Sequence, residues 1–333
     1  MTQASGVGSW PGVEIREAVT VVRDLLAGLD GDGVTGLPYL PELPARGPGG
    51  DLIGRTAGLL VDLPVDLQPS GWRFVDRPGS DLARTQAFWR EDLDVLAEAY
   101  DGYTGPLKLA LAGPWTLAAG IMLHRGERVV VDDGAVRDLG ESLAEGVRDL
   151  LHQVRRLVPG AQIVMQYDEP SLPAVLAGQL PTASGLGRLA PVDPQTALGV
   201  LRTVVAAAGE RPTVVHCCAP YPPLPVLRAS GASGLSLDTT LLTPRGWEGV
   251  AVALEEGTCL YAGCLPTETD VTERAAAQQV SQMWDRIGLS RSDLARVTVT
   301  PACGLAGSTP AEAIARQRAV IDIARRLAAR ARD

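Results

Sequence analysis

Eight short β-rich segments alternate along this chain with longer stretches of helical periodicity, and that alternation limits the fold more than any other feature. The segments are 7–10, 34–40, 107–113, 163–168, 213–218, 234–239, 259–265 and 297–303. Apolar residues spaced at about 3.6 positions, such as Ile15, Val19, Val22, Leu25, Leu26 and Leu29, mark the first helix. Further helices are predicted over 82–100, 136–157, 194–208, 272–287 and 310–329. The last of these opens on Thr309-Pro310-Ala311-Glu312: a hydroxyl cap, a proline in the first turn and a glutamate three residues past the cap. Strand–helix alternation implies a mainly parallel sheet of the α/β class. Eight repeats favour closure into a (β/α)8 TIM barrel over an open doubly wound sheet. The open sheet would be supported by a glycine-rich phosphate loop, and neither GxGxxG nor a Walker motif occurs.

The 333 residues are read as one barrel domain, 1–333, with two long excursions. Residues 40–80, rich in Pro, Gly and Asp, are expected to run over the barrel mouth. Residues 177–195 form the second long loop. Loops of this length in a compact domain are often functional lids, although an inert surface excursion reads the same way. The net charge of −9 argues against nucleic acid or an anionic membrane as partner, since both need a basic face. No apolar run reaches the roughly 18 residues of a membrane span, and the first residues lack a basic start followed by an apolar block. The five cysteines, Cys217, Cys218, Cys259, Cys264 and Cys303, are odd in number and late in the chain. They do not read as a disulfide framework, so a cytoplasmic protein with reduced thiols is expected.

The segment Val214-Val215-His216-Cys217-Cys218 carries the most chemistry. On a strand, His216 and Cys218 share one face while Cys217 takes the other. An imidazole and a thiolate at i and i+2 suit a tetrahedral Zn2+ site, which needs further ligands from other strands. Cys303, ending the last strand segment, is the natural third, and Asp238, ending Leu235-Ser236-Leu237-Asp238, is a candidate fourth. All four fall at C-terminal strand ends, the face on which barrel enzymes place their sites. The plain alternative is that these cysteines are small buried hydrophobes, as is expected of Cys217 and Cys259. His152, in a charged helix, and His124 have no partner at metal-ligand spacing.

Six segments in order resemble cobalamin-independent methionine synthases, of the superfamily that also holds the uroporphyrinogen decarboxylases. They are Gly8-Ser9-Trp10-Pro11, Gly113-Pro114-Trp115-Thr116, Gln166-Tyr167-Asp168-Glu169-Pro170, His216-Cys217-Cys218, Leu235–Thr239 and Cys303-Gly304-Leu305. The resemblance runs from residue 7 to about 310. It implies a (β/α)8 barrel and zinc held by His216, Cys218 and Cys303, with Asp238 in place of the family's usual glutamate. It further implies that Asp168, with Gln166 beside it, holds the amino group of homocysteine, and that Gly8 and Ser9 hold its carboxylate. An alkyl thiol is mostly protonated at neutral pH, and coordination to zinc removes that proton. The implied reaction is methyl transfer to the thiol of homocysteine or a related small thiol. A coenzyme M alkyltransferase and an inactive metal-binding paralogue are the alternatives.

Three departures from the family pattern bear on the methyl donor. Full-length synthases resemble two fused barrels, and this chain has the length of one. In Tyr261-Ala262-Gly263-Cys264-Leu265-Pro266, Cys264 stands where the family has a histidine that assists proton transfer to the folate leaving group. Cys264 is therefore the candidate at that catalytic position, with Glu268 or Asp270 in the following loop as substitutes. The glutamate that helps bind the homocysteine amine has no clear counterpart, and Asp62 and Asp66 are the nearest candidates. The donor is accordingly expected to be a methylcorrinoid or a sulfonium rather than methyltetrahydrofolate.

Overall fold

In the computed structural model, which describes residues 1–269 and 271–333, the predicted parallel sheet curls into a barrel. Its strands are β1 (Thr2–Ala4), β2 (Val34–Gly36), β3 (Pro106–Ala112), β4 (Gln162–Asp168), β5 (Thr213–Cys217), β6 (Gly234–Asp238), β7 (Cys259–Leu265) and β8 (Thr298–Pro301). The hydrogen-bonded order runs β2-β1-β8-β7-β6-β5-β4-β3, every neighbour parallel. The ring closes between the segment after β2 and β3. There the Leu40 amide donates to Lys108 O at 3.0 Å, and the Lys108 amide donates to Pro38 O at 2.8 Å.

The expected first strand, 7–10, is corrected. The ladder instead takes Thr2–Ala4, wedged between β2 and β8, and Val7 to Trp10 form the loop above it. That loop is tied to the next excursion: Trp10 N donates to Glu42 O at 2.8 Å and Glu42 N to Gly8 O at 3.2 Å. An apolar run at a mouth loop reads like a strand because both are buried.

The alternation of strand side chains sorts the barrel into shells. Outward-facing Leu107, Leu109 and Leu111 of β3 join the large core packed against the helices. Leu37, Val164, Val214 and Tyr261 form a small separate cluster that plugs the interior. Climbing β4 and β5 from that plug, the inward positions turn polar: Gln166 and Asp168 follow Val164, and His216 and Cys218 follow Val214. A polar layer above an apolar plug is how a filled barrel makes a pocket only at its top.

The predicted helices are present as Ile15–Leu26, Ser80–Ala99, Asp133–Leu157, Pro194–Ala206, Glu273–Arg286 and Pro310–Arg330. The Thr309–Glu312 capping box forms at the last of them. The sequence reading missed Pro244–Glu255, whose Gly246 and Gly249 dilute the helical pattern. Leu52–Ala57 and the hairpin Val65–Gln68/Gly71–Phe74 occupy the first excursion. Among the described residues no helix is long and apolar enough to cross a membrane.

Candidate functional site

Two groups of side chains meet at the mouth. The first is the thiol–imidazole group. His216 and Cys218 leave the end of β5, and Cys303 follows β8. The Cys218 and Cys303 sulfurs lie 3.5 Å apart. His216 is buried, and its Nδ1 lies 2.8 Å from Ser236 Oγ on the neighbouring strand, which leaves Nε2 to face the sulfurs. Hydrogen bonds from Cys218 and His216 pull the Cys303 thiol down to about 4, while Cys218 is pushed up and keeps its proton. The donor types could hold a soft divalent metal. Among the described residues, however, no three His, Cys, Asp or Glu side chains stand as a finished metal cage. Asp238 is half-buried and turned toward its own loop, its Oδ1 accepting from Thr240 N at 2.9 Å and Thr240 Oγ1 at 2.6 Å. Cys217, on the opposite face, is a core thiol that burial pushes up to about 12.

The second group is a buried charge cluster. Asp168 pairs in register with His216 across β4 and β5. Burial raises its carboxyl, while His216, Gln166 and Lys108 oppose the shift. Gln166 Nε2 donates to Asp168 Oδ1 at 2.7 Å and to Val7 O at 2.9 Å. Glu42, which the sequence reading missed, stands in the same cluster. It is buried, and a Cβ on Gly8 would lie 3.9 Å from its carboxyl carbon. Burial and Asp168 push Glu42 up to about 8, against the pull of Arg55 and Lys108. Its Oε1 has no hydrogen-bond partner among the described residues. A buried carboxylate oxygen left open is costly unless something else fills the place.

Asp62 and Asp66 do not join this cluster. Those two lie elsewhere: Asp62 is exposed in a left-handed turn at φ 57°, and Asp66 sits in the hairpin beside Gln68 and Asp81. No local signal marks Glu42, which lies in the Pro- and Gly-rich excursion several residues past the end of β2.

Ser9 joins the two ends of the chain. A Cβ on Gly304 would meet Ser9 Oγ at 2.0 Å, and Leu305 N donates to Ser9 O at 2.9 Å. Gly8 and Ser9 therefore stand between Glu42 and Cys303. Glu169 faces away from this cluster. Its carboxylate caps the helix Pro114–Gly120 through Trp115 N at 2.9 Å, Thr116 N at 2.8 Å and Thr116 Oγ1 at 2.9 Å. A Cβ on Gly113 would come within 2.4 Å of Glu169 Oε1. Gly113→Ala should therefore cost roughly 2–4 kcal/mol of stability, by forcing that carboxylate off its three donors. Urea unfolding checks this, and an unchanged midpoint would contradict it.

Cys264 lies where the β7–β8 ladder shifts register between Gly263 and Leu265. It is buried in the large core with Ala262, and burial pushes its thiol up to about 12. Glu268 is exposed, and Asp270 lies outside the described residues.

The sequence model of the family described as cobalamin-independent synthase, catalytic domain, matches residues 1–326. No curated protein matches the chain by sequence. A solved B12-independent methionine synthase from Shewanella sp. W3-18-1, in complex with selenomethionine, superposes with a TM-score of 0.60 at 12% identity, over 96% of each chain. A putative fructose-1,6-biphosphate aldolase from Coccidioides immitis aligns with a TM-score of 0.28 at 15% identity, over 71% of this chain and 81% of that one. The second likeness is too low to bear on the fold, whereas the first agrees with the barrel described above. With 326 of its residues matched, the chain belongs to the family of cobalamin-independent synthase catalytic domains, whose role is of the methyltransferase type.

Proposed function

We propose that the chain is a zinc-dependent methyltransferase that moves a methyl group to the thiol of homocysteine. The observation that carries this reading is the meeting of two recognition chemistries at one barrel mouth. A thiol–imidazole group, His216, Cys218 and Cys303, stands beside a buried acid pair, Asp168 and Glu42. Two sulfurs on one tetrahedral zinc at about 2.3 Å stand about 3.7–3.8 Å apart, close to the 3.5 Å between Cys218 and Cys303. A disulfide would need about 2.0 Å. Ser236 on His216 Nδ1 is the kind of outer partner that fixes a metal-binding imidazole. Held there by His216, Cys218 and Cys303, zinc would lower the pKa of an incoming thiol, so that its proton is lost to solvent and the sulfur stays nucleophilic.

The chain's own residues then decide which thiol fits. Asp168 and the open oxygen of Glu42 favour an ammonium group. The Gly8–Ser9 loop, between Glu42 and Cys303, is placed for the α-carboxylate. Coenzyme M, the competing thiol, carries a sulfonate and no ammonium, so it would leave both buried acids without a partner. The test is a screen of thiols against methyl donors on zinc-loaded protein, read by mass spectrometry. Methylated homocysteine as the main product supports the reading, and turnover of coenzyme M alone overturns it.

The donor follows from Cys264. A methyl-folate amine leaves poorly unless protonated, so it needs a positioned acid. A thiol held near 12 in the core gives no proton at neutral pH. Methyltetrahydrofolate should therefore support slow turnover, with methylcobalamin or an S-methyl sulfonium faster. Initial rates with the three donors decide the matter, and methyltetrahydrofolate as the fastest would refute it.

A further inference from the structure

Lys108 is an unusual residue to find inside a barrel. It sits on the inward face of β3, fully buried, directly below the acid pair. Taking an ammonium out of water costs several kcal/mol unless every proton finds an acceptor. Here each one does. Its Nζ donates to Gly6 O, to Val7 O at 3.0 Å and to Gln166 Oε1 at 2.6 Å. The Tyr39 ring lies 5.6 Å from the same nitrogen. With all three protons committed, Lys108 has none left for a bound substrate.

We propose that Lys108 is a positioning residue that fixes the orientation of Gln166 and so presents Asp168 to the substrate ammonium. The proposal rests on the amino-acid-thiol reading above. The logic is one of donors and acceptors. An ammonium only donates, so the Gln166 carbonyl must face Lys108. Val7 O and Asp168 Oδ1 only accept, so the Gln166 amide must face them, at 2.9 and 2.7 Å. Both ends demand the same orientation, and no flipped state satisfies either. One Asp168 oxygen is thereby engaged from below, and the carboxylate is held toward the mouth.

Lys108 has a further consequence for the same site: its bonds to Gly6 O and Val7 O anchor the loop that carries Gly8 and Ser9. Burial in turn lowers Lys108 itself to about 7, with Asp168 and Glu42 acting against that, so the relay is complete while Lys108 holds its third proton, below about pH 7.

The experiment compares Lys108→Met with the parent, as full-length chains of equal metal content. Calorimetry measures the binding of homocysteine and of 4-mercaptobutanoate, the same thiol acid without its amino group. In the parent, homocysteine should bind the more tightly of the two. In Lys108→Met that preference should fall at least tenfold, because 4-mercaptobutanoate loses only what loosening of the Gly8–Ser9 loop costs both ligands. A purely structural role would weaken both ligands alike, and that result, or an unchanged preference, overturns the proposal. Gln166→Met breaks the same relay while leaving Lys108 in place. It should show the same selective loss, which keeps the test decisive if Lys108→Met does not fold. Failure of the amino-acid-thiol reading itself would appear separately, as a parent chain with no preference for homocysteine.

Discussion

Cys218→Ser and Cys303→Ser should each strip the metal from the purified chain, from about one zinc per chain to near none. Methyl transfer should disappear with it. Cys217→Ser is the control, because its thiol lies on the other face of β5 in the core, and it should keep its zinc. Asp238→Asn should have a smaller effect, since the Asp238 carboxylate is already occupied by Thr240. Metal affinity should also fall as pH drops, because both thiols must shed protons to bind. Atomic absorption on gently purified protein reads all four variants. Full zinc content in both Cys218→Ser and Cys303→Ser would remove the site.

Loss of either acid should be nearly as damaging to substrate recognition. Asp168→Asn removes a charged partner of the ammonium, and Glu42→Gln removes one above about pH 8, where its carboxyl is ionised; each is worth about 1.5–3 kcal/mol, or roughly 10- to 150-fold in homocysteine affinity. Zinc content should be unchanged in both. Glu42→Gln carries a second signature that a structural role would not give. The Glu42 carboxyl rises from 4.5 to about 8 on folding. The folded chain therefore holds that proton more tightly than the unfolded chain. Stability is full below about pH 4.5 and is lost as pH rises through about 8. Glu42→Gln removes that loss, so it should be more stable than the parent at pH 8 by roughly 1–2 kcal/mol. Thermal melts at pH 5 and pH 8 check the sign. A variant that binds homocysteine normally, or melts lower than the parent at pH 8, would show that Glu42 is ordinary scaffolding.

The thiol–imidazole group was legible in the sequence because strand alternation is local. His216 and Cys218 two residues apart must share a face, and Cys303 at the last strand end must share the mouth. Asp168 was legible for the same reason, as a strand-end acid. Glu42 was not, because nothing local distinguishes it from the other acids of a Pro- and Gly-rich excursion. Its role depends on the fold bringing it against Gly8, and loop geometry leaves no periodic trace. Lys108 was hidden differently. In Leu107-Lys108-Leu109-Ala110-Leu111 the alternation is clear, but a polar residue on one strand face normally marks solvent. In a barrel whose outer face packs on helices, the polar positions turn inward, so the pattern reads backwards. The first strand was misplaced because Val7 to Trp10 are mostly buried yet pair only through a single bridge, Ser9 to Glu42.

The contact between Ser9 and Gly304 has a consequence for how the chain comes off the ribosome. β1 emerges long before its second neighbour, β8, and finds it only when all the intervening strands have been made. Until then the barrel is an open sheet, with His216 and Cys218 in place and no Cys303 beside them. Two ligands hold a metal weakly, so a growing chain would neither capture nor retain one firmly. On the zinc reading proposed above, metal loading would thus be a late event, coupled to completion of β8, and nicked or stalled chains that lack residues 301–305 would be left without it.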